Sequence, residues 1–245
     1  MPNEEDEDRR QLHREVETLK KEKAQHRLRI QSLLFTQGID VKVGQLFLKK
    51  LEGLRSPSGK SVPAEMKRRV EREYDRLQLV EAQLREIRKQ QTEQVRAVKQ
   101  DAVMEKVRKL QQLTGIGMGS SWVFVMELFG WRQFQNRRQL AAAIGLTPTP
   151  YNSGDSVREQ GISRAGNRRV RKLAIELAWC WLRFQPQSQL SQWYKTRFGG
   201  GGARMRRIGI VAMARRLMID LWRYVEFETI PTGARLRKSA AIENA

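Results

Sequence analysis

The sequence predicts an all-α protein in which a long antiparallel coiled coil is followed by a compact helical domain containing a helix-hairpin-helix. Three observations predict this fold class: two long charged stretches with apolar residues at coiled-coil spacing, a glycine-rich hairpin after them, and helical periodicity again near the C-terminus. The expected domains are a coiled-coil and dimerisation region at 1–112 with a loop at about 53–63, a helical domain at 113–228, and a disordered tail at 229–245.

The composition indicates a polyanionic partner. The chain has 47 Lys and Arg against 27 Asp and Glu, a formal net charge of +20, and 21 basic residues against five acidic ones between Lys106 and Tyr224. Nucleic acid is the first candidate for the partner, and a membrane surface is the alternative. The single Cys180 excludes an internal disulfide framework, and the acidic N-terminus is unlike a signal peptide. We therefore expect a cytoplasmic protein with no membrane partner.

The first helix is predicted from Asp8 to about Phe35, a stretch without proline or glycine. Its seam alternates spacings of four and three residues, which is typical of a coiled coil, at Leu12, Val16, Leu19, Lys23, His26, Ile30 and Leu33. His13 and His26 have no cysteine or histidine at ligand spacing. We assign both histidines to the seam or surface of this helix and predict no metal site.

A second helix is predicted to run unbroken from about Ala64 to Leu113. At a rise of 1.5 Å per residue it would be about 75 Å long. A helix so long and polar is not stable alone, because most helical stability comes from packing an apolar face. It therefore pairs with the first helix, with a second copy of the chain, or with both, and we expect a homodimer or a higher oligomer.

The glycines after Leu113 predict a tight hairpin between two helices. Gly115, Gly117 and Gly119 fall in the run Leu-Thr-Gly-Ile-Gly-Met-Gly, and an apolar helix begins near Ser120. In a helix-hairpin-helix, such glycines let backbone N–H groups approach a DNA phosphate without contacting bases. The alternative is an ordinary helical hairpin with a glycine turn.

The stretch from Gly145 to Arg171 concentrates the chemistry of the chain. Pro148 and Pro150 exclude a helix at its start and predict a turn-rich loop, in which Ser153 precedes a glycine on a tight bend. An exposed hydroxyl nucleophile and a phosphate-binding site both fit this pattern, and the residues alone do not decide between them.

The helix predicted from Arg164 to Phe184 begins with cations, although a helix N-terminus favours anions. Ser163 is well placed as its N-cap. An external anion is the simplest account of the arginines. A last helix is predicted from Ala203 to about Val225, with a core stripe at Ile208, Val211, Leu217, Leu221 and Val225.

Four motifs, in order and spacing, resemble one known family. They are Leu113-Thr-Gly115-Ile-Gly117, Leu140-Ala-Ala-Ala-Ile-Gly145-Leu-Thr-Pro148, Tyr151-Asn-Ser153-Gly154 and Ile162-Ser-Arg164-Ala-Gly166-Asn167. Together they resemble the C-terminal transposase domain of the insertion-sequence transposases of the 110/116/902 group, relatives of the pilin-gene invertases. The long helices resemble the coiled-coil region of that family.

The resemblance implies a recombinase guided by a structured RNA, in which Ser153 attacks a DNA phosphodiester and forms a covalent phosphoserine link. It also implies an N-terminal nuclease-like domain with four metal-binding carboxylates, where magnesium is held. Arg158 and Arg164 would neutralise the charge that builds on the phosphate. The candidate nucleic-acid-binding residues are Gly115, Gly117, Gly119, Arg158, Arg164, Asn167, Arg168, Arg169 and Arg171.

The sequence departs from this family at its start, because it begins within the coiled coil and shows no strands with spaced carboxylates. We therefore expect a truncated or separately encoded C-terminal portion, without a cofactor of its own and located at the nucleoid of a bacterium. It would bind DNA and guide RNA and dimerise, but it would be inactive in strand exchange without the metal-binding domain. The alternative is a non-catalytic helix-hairpin-helix DNA-binding protein, in which Ser153 only forms a turn.

Overall fold

The computed structural model describes residues 2–97, 101–153 and 156–237. Apart from one two-stranded hairpin, the named secondary-structure elements in these residues are helices, so the all-α fold class is confirmed. The chain forms two compact units: the first unit is Gln11–Glu93, and the second unit combines Met1–Arg10 with Gln94–Ala245. None of the described helices is long and apolar enough to cross a lipid bilayer.

The elements follow in chain order. The helices are α1 (Glu4–Arg9), α2 (Gln11–Phe35), α3 (Phe47–Leu51), α4 (Ala64–Ala97), α5 (Ala102–Gln112), α6 (Met118–Phe124), α7 (Arg137–Ile144), α8 (Arg168–Phe184), α9 (Gln189–Phe198) and α10 (Ala203–Phe227). A π-helical turn, Val125–Phe129, continues α6, and the strands β1 (Pro148–Ser153) and β2 (Ser156–Ile162) lie between α7 and α8.

In the first unit, α2 and α4 pack side by side in antiparallel orientation. Leu19 in the first half of α2 clusters with Leu84, whereas Ile30 near the end of α2 clusters with Val70 early in α4. The predicted seam of α4 is buried at Leu77, Val80, Leu84, Ile87 and Gln91. The second helix therefore pairs with the first within one chain. Coiled-coil geometry and pairing with a second copy stay predictions.

His26 of α2 contacts a carboxylate of α4. Its Nδ1 lies 2.7 Å from a carboxylate oxygen of buried Glu73, which Arg29 and Arg76 also approach. Burial acts to raise the pKa of Glu73, but His26 and the two arginines hold that pKa below its usual value. Within the residues that the structure describes, no three His, Cys, Asp or Glu side chains gather as a metal site.

The predicted unbroken helix at 64–113 is wrong, since α4 and α5 are separate helices. Asp101 has an extended backbone, and its carboxylate accepts hydrogen bonds from the N–H groups of Val103 and Met104. An N-cap aspartate starts a new helix without proline or glycine, so a search for those two residues misses the break. Arg9 binds the same carboxylate at 3.0 Å, which ties the N-terminal segment into the second unit.

Helix α10 is the centre of the second unit, where it packs against α5, α7, α8 and α9. Leu217, Leu221 and Val225 are buried as the predicted stripe requires. Ile208, in contrast, is 52% exposed, and Val211 is half-buried. The core stripe is therefore wrong for the first turns of α10, because those turns face a groove rather than the interior.

Residues 229–237 are ordered, although the sequence predicted a disordered tail from residue 229. Leu236 forms a β-bridge with Leu113, and the Thr114 N–H donates to the Arg235 carbonyl at 3.0 Å. Buried Gln185 joins both segments, since its Nε2 donates to the carbonyls of Thr114 and Arg235 and its Oε1 accepts from the Arg235 N–H. Composition cannot reveal such a long-range partner. Residues 238–245 lie outside the described part.

Candidate nucleic-acid interface

Strands β1 and β2 form an antiparallel hairpin where the sequence predicted an irregular loop. Ser153 pairs with Ser156, and Tyr151 pairs with Arg158. The prolines exclude a helix, as predicted, but they do not exclude a strand at a sheet edge, and both strands of a two-stranded sheet are edges. The prediction of a loop is therefore wrong, whereas a bend after Ser153 falls on residues 154–155, outside the described part.

The base of the hairpin contains a bulge. The register shifts between Pro148, which pairs with Ile162, and Pro150, which pairs with Glu159. Gly161 lies at this shift with φ +87°, a left-handed conformation that glycine adopts without strain. The bulge gives the hairpin a defined base before the strands extend outward.

Ser153 is the last residue of β1, five residues beyond Pro148. At a rise of about 3.3 Å per residue, it lies about 16 Å along the strand from the base. The side chains of residues 150–160, including those of Ser153 and Arg158, lie outside the described part of the structure. The backbone therefore locates the candidate nucleophile near the outer end of a hairpin.

Close backbone packing anchors the base of the hairpin. Gly145 ends α7 in the left-handed region at φ +67°, and Gly166 packs directly onto this helix end. A Cβ on Gly166 would lie 2.3 Å from the Ala143 carbonyl oxygen, so a side chain there would force the segments apart. The Arg164 N–H also donates to the Gly145 carbonyl at 3.2 Å. These motif glycines are needed for the close approach.

Asn167 is the N-cap of α8. Its Oδ1 accepts hydrogen bonds from the N–H groups of Arg169 and Val170, and its Nδ2 donates to Glu127 at 2.8 Å. The assignment of Ser163 as N-cap is wrong, because the helix begins at Arg168. Asn167 was predicted to bind nucleic acid, but both ends of its side-chain amide are engaged within the protein.

The predicted arginines divide into two groups. Arg171 is half-buried, and its Nη1 donates to the carbonyls of Ile144 at 3.2 Å and Gly166 at 3.4 Å. It thus satisfies the C-terminal end of α7, where a cation is favourable. Arg164 and Arg168 are exposed, as is Arg169, which has interactions within the protein.

A large groove lies beside the hairpin base, with a volume of ≈ 1040 Å³. Helices α7, α8 and α10 line it together with the ends of β1 and β2. Among the side chains that the structure describes, its lining contains no acidic residue and eight arginines, namely Arg137, Arg138, Arg164, Arg171, Arg204, Arg207, Arg215 and Arg216. Guanidinium groups remain charged at all ordinary pH values, so this arginine groove attracts polyanions.

The floor of the arginine groove is apolar. Ile208, Val211 and Ala212 of α10 line it and lie between two arginine pairs in sequence, and Ile175 of α8 also lines it. Half-buried Trp193 also lines the groove, next to Arg216. The Arg216 guanidinium carbon lies 4.3 Å from the centroid of the Trp193 ring, which is a cation–π contact.

Sequence reasoning found two of the eight groove arginines, Arg164 and Arg171, and missed the other six. For α10 a pattern was available, since positions 204, 207, 208, 211, 212, 215, 216 and 219 recur at helical spacing on one face. Arg137 and Arg138 carry no such pattern, because only the tertiary fold brings the start of α7 to the groove.

The glycine hairpin lies where it was predicted, between α5 and α6. Gly115 has φ +97°, and a Cβ there would lie 3.1 Å from Phe184. Gly117 is the backbone N-cap of α6, and Gly119 lies within that helix. No atom lies within 4 Å of a Cβ built on Gly117 or Gly119, so packing among the described residues does not require glycine at either position.

The C-terminal segment covers part of this hairpin. The Thr114 N–H is bonded to Arg235, and Arg237 donates from its Nη2 to the Ile116 carbonyl at 2.8 Å and from its N–H to Gln112. The turn is thus held from within the chain. A phosphate-binding helix-hairpin-helix stays a prediction.

Comparison with known proteins identifies relatives of the chain. Residues 107–193, from α5 to α9, match the Transposase IS116/IS110/IS902 family. The chain is 37% identical over 249 residues to "Putative transposase y4rJ" of Sinorhizobium fredii, a match that covers 97% of this chain and 62% of the relative. It is 24% identical over 184 residues to "Transposase for insertion sequence element IS1328" of Yersinia enterocolitica, covering 74% of this chain and 53% of the relative. The resemblance carried by the four motifs is confirmed, and the chain spans less than two thirds of both relatives.

Proposed function

We propose that this chain, whose residues 107–193 match the IS116/IS110/IS902 transposase family, binds DNA in the arginine groove and presents Ser153 for strand exchange. The proposed activity is DNA transposition by an insertion sequence. The observation that carries the proposal is the groove itself, in which eight arginines and, among the described side chains, no acidic residue lie beside the base of the Ser153 hairpin.

The binding part rests on charge. Each phosphate that a protein neutralises releases a counterion, so binding weakens with salt in proportion to the number of contacts. If each groove arginine contacted one phosphate, the slope of log K against log salt would be about −7 on duplex DNA. Such contacts hold DNA without selecting its sequence, so sequence choice falls to another part of the system. A structured guide RNA, as in the family that the motifs resemble, fits that role.

The chemical part rests on the position of Ser153 at the end of β1. In the proposed step, its hydroxyl oxygen attacks a DNA phosphorus, a phosphoserine ester forms, and the bond to one deoxyribose oxygen breaks. The hydroxyl proton leaves to a base, and the departing oxygen takes up a proton. Serine is a weak nucleophile without such a base, and no histidine occurs beyond His26 to supply one.

Magnesium has no fitting site among the described residues. The groove lining offers only cationic, apolar and backbone groups, and no cluster of three or more His, Cys, Asp or Glu is formed by the described residues. Eight arginines repel a divalent cation. We therefore propose that any carboxylates that hold magnesium come from other residues of the complete assembly, and that the present residues alone bind nucleic acid without exchanging strands. A homodimer or higher oligomer formed through α2 and α4 would bring several Ser153 hairpins to one DNA complex.

The binding proposal is tested by replacing one arginine inside the groove and one outside it. Arg207 lines the groove, whereas its exposed neighbour Arg206 does not. Both Arg207→Ala and Arg206→Ala remove one positive charge from the same turn of α10. We expect Arg207→Ala to weaken duplex binding in a fluorescence titration and to reduce the salt slope by about 1, and Arg206→Ala to leave the slope nearly unchanged. Equal effects of the two substitutions would contradict binding in the groove.

The nucleophile proposal is tested by trapping. The chain is combined with element-end DNA, guide RNA, magnesium and a full-length relative, and covalent protein–DNA adducts are separated under denaturing conditions. We expect Ser153→Ala to abolish the adduct on this chain and Ser156→Ala, at the paired position, to preserve it. If Ser153→Ala did not change the adduct yield, the nucleophile proposal would be contradicted. The alternative would then apply, namely a non-catalytic DNA-binding protein whose affinity still depends on Arg207.

A further inference from the structure

We propose that the arginine groove receives an unpaired nucleic-acid strand, with bases on its apolar floor and phosphates on its arginines. This inference rests on the proposed nucleic-acid binding and specifies the form of the ligand. It starts from Ile208, which is 52% exposed in the middle of an arginine-rich helix face. An exposed β-branched side chain there does nothing for charge attraction, and it does not contribute to the core.

Along α10, the apolar residues of the floor lie between arginines. Arg204 and Arg207 precede Ile208 and Val211, and Arg215 follows them, all on the face that lines the groove. A ligand that satisfies this face needs anionic groups at both ends and apolar surface between them. A single strand offers both, because its phosphates are anionic and its unpaired bases expose flat apolar faces.

A duplex matches this face less well. Its bases are stacked inside, and its outer surface presents phosphates, sugars and hydrated groove edges. A duplex held by the arginines would leave the isoleucine and valine of the floor without an apolar partner, so it would gain nothing from removing them from water. The apolar floor therefore distinguishes the two forms of nucleic acid, whereas the arginines do not.

Trp193 and Arg216 add a flat surface at one end of the floor. The Arg216 guanidinium carbon lies 4.3 Å from the centroid of the Trp193 ring. Bases stack on aromatic rings and on guanidinium planes alike. Arg204 and Arg216 are twelve residues apart on α10, which corresponds to about 18 Å along the helix.

The test uses a matched pair of isoleucines. Ile208 lines the arginine groove, and Ile230, 47% exposed, does not. Ile208→Ser and Ile230→Ser are titrated with a short single-stranded DNA, with an RNA of the same sequence, and with the corresponding duplex DNA. For Ile208→Ser we expect binding to single strands to weaken about fivefold to tenfold with an unchanged salt slope, and duplex binding to change less than twofold. Ile230→Ser should change neither. Preference for DNA or for RNA among the single strands supports the inference in either case and identifies the source of the strand.

Two results separate this inference from the function on which it rests. Equal binding of duplex and single strand, together with no effect of Ile208→Ser on either, would overturn the unpaired-strand inference, while sensitivity to Arg207→Ala would leave nucleic-acid binding in the groove intact. If Arg207→Ala affected none of the three ligands, the proposed binding function itself would be contradicted. Trp193→Leu, which removes the aromatic ring but keeps an apolar side chain, provides a second variant in case Ile208→Ser reduces solubility, and it should weaken binding of the single strands more than binding of the duplex.

Discussion

The side-chain amide of Asn167 donates a 2.8 Å hydrogen bond to Glu127, a buried carboxylate in the π-helical turn Val125–Phe129. The same asparagine caps α8 through its oxygen. One side chain thus connects the start of α8, next to the base of the Ser153 hairpin, with the helix that follows the glycine turn. Turns of π-helix are frequent at functional sites, and this one contains Glu127.

Asn167→Ala is expected to destabilise the second unit by about 1–3 kcal/mol, because it removes the cap of α8 and one donor to buried Glu127. Urea unfolding measures this effect. Arg168→Ala, an exposed neighbour, should change the free energy of unfolding by less than about 0.5 kcal/mol. If Asn167→Ala left stability unchanged and reduced only nucleic-acid affinity, Asn167 would be a ligand contact rather than a structural cap.

Gly209→Ala tests the packing of α9 on α10. A Cβ on Gly209 would lie 2.4 Å from Cγ of Phe198, a contact that requires one of the helices to shift. We expect a loss of about 1–3 kcal/mol in the free energy of unfolding, although alanine is the better helix former. Gly200→Ala is the control, since nothing lies within 4 Å of its Cβ position. Unchanged or increased stability in Gly209→Ala would show that the helices are not in close contact.

Asp101→Asn tests a pH-dependent contribution to stability. Burial acts to raise the pKa of Asp101, but the N–H groups of Val103 and Met104 and the Arg9 guanidinium hold it below the usual aspartate value. Its stabilising effect is therefore present above the unfolded pKa of about 3.9 and is lost as the pH falls through the lowered folded value. Asparagine keeps the cap and removes the charge. We expect the variant to be less stable by up to about 1 kcal/mol at neutral pH, with the difference disappearing in acid.

The control for this comparison is Glu5→Gln, because Glu5 pairs with Arg9 on the exposed side of α1. Exposed pairs of this kind contribute little, so Glu5→Gln should follow the unmodified chain across the pH range. A difference between Asp101→Asn and the unmodified chain that stayed constant down to acid pH would show that the charge is not the cause.

Gln185→Ala should release the C-terminal segment from the glycine hairpin. The three hydrogen bonds of Gln185 connect Thr114 and Arg235, so their loss exposes both backbones. We expect hydrogen exchange at the Thr114 and Arg235 amides to speed up at least tenfold, while amides in the middle of α10 keep their protection. Gln192→Ala, which loses one exposed contact, is the control. Protection that survived Gln185→Ala would contradict this role.

The sequence predicted the helices well and the connections between them less well. The seam of α4 and the glycine turn at Gly115 follow local rules, periodicity and backbone conformation, which a sequence displays directly. The separate start of α5 depends on the cap at Asp101, which looks like any charged residue in a charged helix. The order of residues 229–237 depends on Gln185, about fifty positions away, and no local pattern shows such a partner.

The candidate site was predictable in part for the same reason. The motifs located the Ser153 hairpin and the close approach of Gly145 and Gly166, since only glycine permits that packing. The arginine groove combines residues from 137 to 219, and periodicity reveals only the α10 side of it. Asn167 was assigned to nucleic acid because a polar residue in a basic motif has the same sequence signature whether it caps a helix or binds a ligand.

The arginine groove also has a consequence for the protein without its ligand. Eight guanidinium groups that share one groove repel one another, and no acidic residue among the described lining side chains offsets the repulsion. Added salt screens charges over about 10 Å at 0.1 M, so it should stabilise the free fold while it weakens the complex. On the proposed function, the two salt responses have opposite signs, because a nucleic acid would supply the negative charges that the described lining of the groove lacks. On that proposal, a bound polyanion would be the counterion with which the second unit reaches its full stability.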